Sequence, residues 1–90
     1  MRTIQRTSQF KKDVKRLKKR RKKFEDFKDV ISKLSEGETL EAKFRDHILS
    51  GQYKGTRECH IEPDWLLIYE LTDSELVLVR TGSHSDLFKQ

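Results

Sequence analysis

The chain lacks most of the devices with which small proteins hold themselves together. Among its 90 residues there is one cysteine, Cys59, so neither an internal disulfide nor a cysteine-rich zinc knuckle can form. There is one proline, Pro63, and there are only four glycines. Hydrophobic residues make up 33% and charged residues 39%, where a soluble domain usually carries about a quarter charged. The longest apolar run, Trp65 to Tyr69, is five residues, far short of the roughly 18 that span a bilayer. The N-terminus has no apolar stretch of the kind that marks a secretory signal. These absences predict one soluble, reduced, cytoplasmic domain that starts at Met1, with a core assembled from short apolar runs and no membrane partner.

Charge is abundant, and it is segregated. The net charge of +5 combines +11 over residues 1–23 with −6 over residues 24–90. Between Lys11 and Lys23, ten of thirteen residues are basic and one, Asp13, is acidic. A block of this density repels itself and gains from a polyanion or an acidic protein opposite it. Lys18, Lys19, Arg20 and Arg21 are its centre, and a nucleic-acid contact there competes with an acidic protein segment or a merely solvated helix face.

Hydrophobic periodicity orders the elements. Thr3 to Arg6 is a short first strand, and Ser8 suits an N-cap. Phe10, Val14 and Leu17 then form a narrow apolar stripe on a basic helix. A second helix from about Glu25 buries Phe27, Val30, Ile31 and Leu34 and ends at Gly37, which can adopt a left-handed cap. Glu38 to Gln52 reads as loop, with a turn of helix around Ala42 to Phe44. Tyr53 to Ile61 is strand-like, with Gly55 suggesting a bulge or a close backbone approach. Glu62-Pro63-Asp64 is a turn, and Trp65–Leu71 with Leu76–Thr81 forms a hairpin across Thr72-Asp73-Ser74. The order β-α-α-β-β-β predicts a single α+β domain over residues 1–90, two helices packed as a hairpin on a mainly antiparallel sheet.

The residues capable of chemistry gather in the C-terminal half, at element boundaries where a rigid sheet presents functional groups. His47, His60 and His84 can serve as acid or base near neutral pH. Asp64 follows His60 in the turn, and Arg80 can clamp a phosphate through a bidentate contact, or pair with Glu58 or Glu62 as a sheet-face arginine. His60, Glu62 and Asp64 alternate in the manner of a metal site, but Pro63 interrupts the strand they would need, and no HExxH or CxxC pattern is present. Cys59 reads as a buried core thiol, because the adjacent His60 points to the opposite face of a strand.

Asp46-His47, Gly51, Lys54-Gly55, Arg57, His60 through Trp65, Leu67-Ile68-Tyr69, Leu71-Thr72-Asp73, Arg80 through His84 and Leu87-Phe88 together resemble the YafQ branch of the RelE-like toxins of type II toxin–antitoxin systems. The dense match covers residues 46 to 88, and the EPDW turn followed by the RTGSH strand end is its most specific part. The resemblance implies a compact ribonuclease-like fold that cleaves messenger RNA in the ribosomal A site with no metal or other cofactor. It also implies a cognate antitoxin as partner, and operator DNA reached only through the antitoxin complex. The family's functional positions fall on His47, His60, Asp64, Trp65, Arg80, His84 and Phe88. The histidines set the chain apart from the RelE branch, which relies more on lysine, arginine and tyrosine. The basic run is denser than the family pattern.

Residue chemistry agrees with that implication. RNA cleavage without metal uses the 2′-hydroxyl as nucleophile, and the protein must take one proton, give one, and stabilise charge. His60 and Asp64 then form a base or orienting pair, His84 is the acid, Arg80 the phosphate clamp, and His47 an auxiliary ligand. Trp65 and Phe88 either stack on an unpaired base or belong to the core. The competing class is a binding module, a catalytically idle or regulatory relative. The simultaneous presence of every candidate polar residue favours the enzyme.

Overall fold

The computed structural model describes residues 1–49 and 55–88. Five strands form one sheet in the order β1-β5-β4-β3-β2, comprising β1 (Thr3–Arg6), β2 (His47–Ile48), β3 (Arg57–Glu62), β4 (Trp65–Leu71) and β5 (Glu75–Gly82). β1 runs parallel to β5, and every other pairing is antiparallel. Helices α1 (Ser8–Lys19) and α2 (Glu25–Ser35) follow β1, a 3₁₀ turn spans Ala42–Phe44, and a short α3 (His84–Leu87) closes the described chain. The expected α+β order holds.

Side-chain alternation along β4 divides the core in two. Trp65, Leu67 and Tyr69 face α1 and α2 and pack with Phe10, Leu17, Phe27, Val30, Leu34, Cys59, Leu76 and Leu78. Leu66 and Ile68 face the other way, beneath Leu87, with Leu49, Val79 and Phe88 at their margins. The principal core is laced by aromatic rings. Phe27 lies between Phe10 and Trp65 at 6.1 and 5.2 Å, and Phe24 meets Trp65 edge-on at 5.5 Å. No helix among the described residues is long and apolar enough to cross a membrane.

Local details depart from the sequence reading at several points. The N-cap of α1 is Thr7, one residue earlier than expected: its Oγ1 accepts from the Phe10 N–H and donates to the Val79 carbonyl, so the cap also ties α1 to β5. Gly37 ends α2 as expected, at φ +80°. Gly55 is a turn residue at φ +92°, with open space where a side chain would stand, and the irregularity of β3 lies instead between His60 and Glu62. β2 falls within the segment expected to be loop, since a two-residue strand has no period to detect. Tyr53 and Lys54, expected in the strand, and Gly51 lie outside the described residues.

Candidate active site

β3 alternates like β4: Cys59 and Ile61 enter the principal core, so Glu58 and His60 stand on the opposite face, paired across the ladder with Ile68 and Leu66. β2 sets His47 opposite Glu58. Its approach is pinned by Asp46, which accepts from the Tyr69 hydroxyl at 2.5 Å and from Arg57 Nε at 3.3 Å. The turn Pro63-Asp64 and the start of α3 bring in Asp64 and His84. The three imidazoles consequently form a row, His47 to His60 at 6.1 Å and His60 to His84 at 5.8 Å between ring centroids.

Each histidine has a different setting. His84 shares 2.6 Å between its Nδ1 and Asp64 Oδ1, and its backbone N–H donates to the same oxygen at 2.9 Å. These bonds, led by the backbone one, hold the Asp64 carboxyl below the usual carboxylate range. Asp64 therefore orients His84; it is not the partner of His60, as the sequence suggested, because the turn reverses the chain and directs Asp64 toward the end of β5. His60 is half-buried, and its Nδ1 is buried without a hydrogen-bond partner. Burial lowers its pKa; Glu58 opposes this, and the neighbouring His84, His47 and Arg45 act with burial. His47 has the Arg45 carbonyl 2.8 Å from Nδ1 and Glu58 Oε1 3.4 Å from Nε2.

The sequence offers Glu58 only as a possible partner of Arg80. The structure buries it between two histidines, with Oε1 3.4 Å from His47 and 3.8 Å from His60. The alternation of Glu58 and His60 along one strand is its only sequence signal. A cleft of about 280 Å³ beside His60 is lined by Lys43, Arg45, Asp26 and Glu62, among others, and the loop cations Lys43 and Arg45 carry no motif.

Arg80 pairs with neither Glu58 nor Glu62. Its Nε and Nη2 donate to the two oxygens of Asp13, both at 3.0 Å, and the Thr81 N–H reaches the same carboxylate at 3.2 Å. Asp13, the lone acid of the basic run, is fully buried. The bidentate edge expected to clamp a phosphate is thus engaged by a carboxylate. Trp65 is also fully buried. Its Nε1 donates to Thr81 Oγ1 at 2.9 Å, and Lys22 Nζ sits 5.8 Å from the ring centroid, so Trp65 belongs to the core and does not present a face to a base. Phe88 is half-buried at the margin of the smaller cluster. Burial pushes the Cys59 thiol up, in keeping with a core thiol.

The metal-like alternation disperses. Glu62 faces Lys22, Asp64 is bound to His84, and among the described residues no three His, Cys, Asp or Glu side chains converge as metal ligands. The basic run also divides. Arg20 binds Asp86, while Lys18, Lys19 and Arg21 are exposed.

Comparison with known proteins adds to this geometry. Residues 2–89 match the family described as the bacterial toxin of type II toxin–antitoxin system, YafQ. The mRNA interferase toxin YafQ of Escherichia coli (strain K12) is 44% identical over 88 residues, spanning 97% of this chain and 96% of the relative. In the crystal structure of the E. coli DinJ-YafQ toxin–antitoxin complex, the matching chain superposes with a TM-score of 0.90 at 44% identity, covering 97% of each chain. A copper-bound mutant toxin from Helicobacter pylori matches with a TM-score of 0.93 at 41% identity, over 98% of this chain and 100% of that one.

Proposed function

The chain belongs to the YafQ family of type II toxin–antitoxin toxins and is by that homology an mRNA interferase, an endoribonuclease; from that premise we propose that it cuts messenger RNA in the ribosomal A site, without a metal ion, by driving the substrate's own 2′-hydroxyl onto the adjacent phosphate. The observation that carries the proposal is the 2.6 Å pair of His84 and Asp64, set beside a second imidazole whose proton affinity burial reduces.

The roles follow from the settings. His60, neutral at pH 7, takes the proton from the 2′-hydroxyl as its oxygen attacks phosphorus. As the bond from phosphorus to the 5′-oxygen breaks, His84 gives that oxygen a proton from Nε2, its Nδ1 side being held by Asp64. The products are a 2′,3′-cyclic phosphate and a 5′-hydroxyl. Two such proton transfers by positioned groups contribute roughly 10²- to 10⁴-fold each. Arg80, steadied by Asp13, supplies positive charge to the phosphate, and His47, oriented by Glu58 and the Arg45 carbonyl, is an auxiliary ligand to it. Phe88 is the aromatic residue assigned to stacking on a base, whereas Trp65 serves by supporting the strand end that carries Arg80 and Thr81.

Lys18, Lys19 and Arg21 are suited to ribosomal RNA. The E. coli relative was solved with DinJ, and this chain correspondingly binds a cognate antitoxin, through which alone it reaches operator DNA. Two measurements test the reading. Brief induction followed by sequencing of cut messenger ends should give 5′-hydroxyl termini, and His84→Ala should remove both the cuts and the growth arrest. Ends bearing 5′-phosphate, or undiminished cutting by His84→Ala, overturn it.

A further inference from the structure

α3 has four residues, too few to be stable on its own backbone bonds. Its position must come from ties at its ends. Asp86 provides one of them twice over. Within α3 it completes a capping box: its N–H donates to Ser83 Oγ at 3.1 Å, and its Oδ2 accepts from the Ser83 N–H at 3.0 Å. Across the molecule the same carboxylate receives Arg20, with Nη1 at 2.7 Å from Oδ2 and Nη2 at 3.1 Å from Oδ1, while Arg16 approaches Oδ1 at 3.5 Å. The seat is tightly built. A Cβ added at Gly82 would stand 3.0 Å from both Asp86 Cβ and Oδ2, tighter than nearly all real contacts of that kind. Arg20 caps α1 at its C-terminus, and α1 is anchored in the core by Phe10 and Leu17.

Helical geometry connects this tie to the reaction. Residues two apart on a helix are separated by about 200° around its axis, so Asp86 and His84 leave α3 in nearly opposite directions. Fixing Asp86 against α1 therefore fixes the rotation of α3, and with it the direction of the His84 ring toward Asp64. We propose that Arg20 and Asp86 are a positioning pair for His84, and that Arg20, though part of the basic run, serves turnover by holding α3 and not by docking to the ribosome. This rests on the reading of His84 as the general acid.

The test is a double-mutant cycle on mRNA cleavage by programmed ribosomes, comparing the wild type, Asp86→Asn, Arg20→Gln, the double variant and His84→Ala. A misdirected acid should lower kcat by about tenfold or more in each single variant, with the apparent KM for ribosomes unchanged. The double variant should be no slower than the slower single, because both substitutions break the same ion pair. Unchanged kcat in both singles overturns the proposal, as does a multiplicative loss in the double. A raised KM for Arg20→Gln beside an unaffected Asp86→Asn overturns it in favour of a ribosome contact. Thermal melting accompanies each assay. If the neutral variants do not fold, Arg20→Lys, which keeps the charge but loses the fork, decides instead: reduced kcat at unchanged KM supports the pair, and wild-type kcat overturns it. His84→Ala separates the two readings, since its full activity would sink the acid assignment whatever the pair variants do.

Discussion

Arg80 and Asp13 meet across 67 residues of sequence, and the consequence of that pairing is geometric. A lysine at position 80 keeps one positive charge but cannot satisfy both oxygens of a buried carboxylate. Arg80→Lys is therefore expected to be nearly as damaging to mRNA cleavage as Arg80→Ala. Both should also lower stability, Arg80→Ala by about 3 kcal/mol, because the buried Asp13 would keep only Gln9, the Thr81 N–H and Arg16 at 3.9 Å as partners. Denaturant unfolding alongside the cleavage assay checks both effects; an Arg80→Lys protein with wild-type turnover would show that the bidentate pairing with Asp13 is not what turnover needs. His60 supports a second prediction. Its pKa is lowered on folding, so the unfolded chain takes up a proton at a higher pH than the folded one. Stability is then full above the ordinary imidazole value near 6.5 and is lost as the pH falls through the folded pKa below it. Melting temperatures at about pH 8 and about pH 5.5 should diverge for the wild type and converge for His60→Gln, while Asp64, held low by His84, acts only at more acidic pH. An equal acid-side loss in the variant would assign the effect to another group.

At the scale of the element, α1 has two faces with distinct duties. Phe10, Asp13 and Leu17 turn inward, and Arg16 with Arg20 ties the helix to Asp86. Lys11, Lys12, Lys15 and Lys23 are exposed, and so are the three cations flanking Arg20, namely Lys18, Lys19 and Arg21. Replacing these three by glutamine while keeping Arg20 should raise the apparent KM for ribosomes and leave saturated turnover unchanged. The salt dependence of binding should also flatten, by roughly 0.7 to 0.9 in slope for every phosphate no longer neutralised. If the antitoxin is what this face receives, ribosome binding and its salt slope stay as they were, and antitoxin affinity falls. Unchanged values in both titrations would return the three cations to a solvated face. The basic composition of this helix is plain from its residues. Its division into tie and free face is not, because periodicity reports which side is apolar and says nothing of which cation meets which acid.

For the whole molecule, the sheet has two distinct faces: the principal core lies under α1 and α2, and the histidine row lies on the other face. His84 is bound by Asp64 and His47 by the Arg45 carbonyl, and among the described residues no three His, Cys, Asp or Glu side chains group as metal ligands. Cleavage should accordingly survive a chelator in an assay that preserves the ribosome's own magnesium. Activity lost to the chelator and restored by zinc or copper, but not by magnesium, would show that the metal binding of the H. pylori relative extends to catalysis here.

The sequence by itself determined whatever is repetitive or local. The stripes of Phe10-Val14-Leu17 and Phe27-Val30-Ile31-Leu34, the hairpin around Thr72-Asp73-Ser74 and the stop at Gly37 are each encoded within a few residues. The histidines and the EPDW and RTGSH segments were legible because residue type alone marks them. Only the tertiary structure decided the partners. Asp64 belongs to His84 across 20 residues, Asp13 to Arg80 across 67 and Asp86 to Arg20 across 66, and Trp65 lies in the core although it adjoins the exposed Asp64 in sequence. Such pairings depend on where the sheet and helices bring distant side chains together, and neither spacing nor composition carries that information.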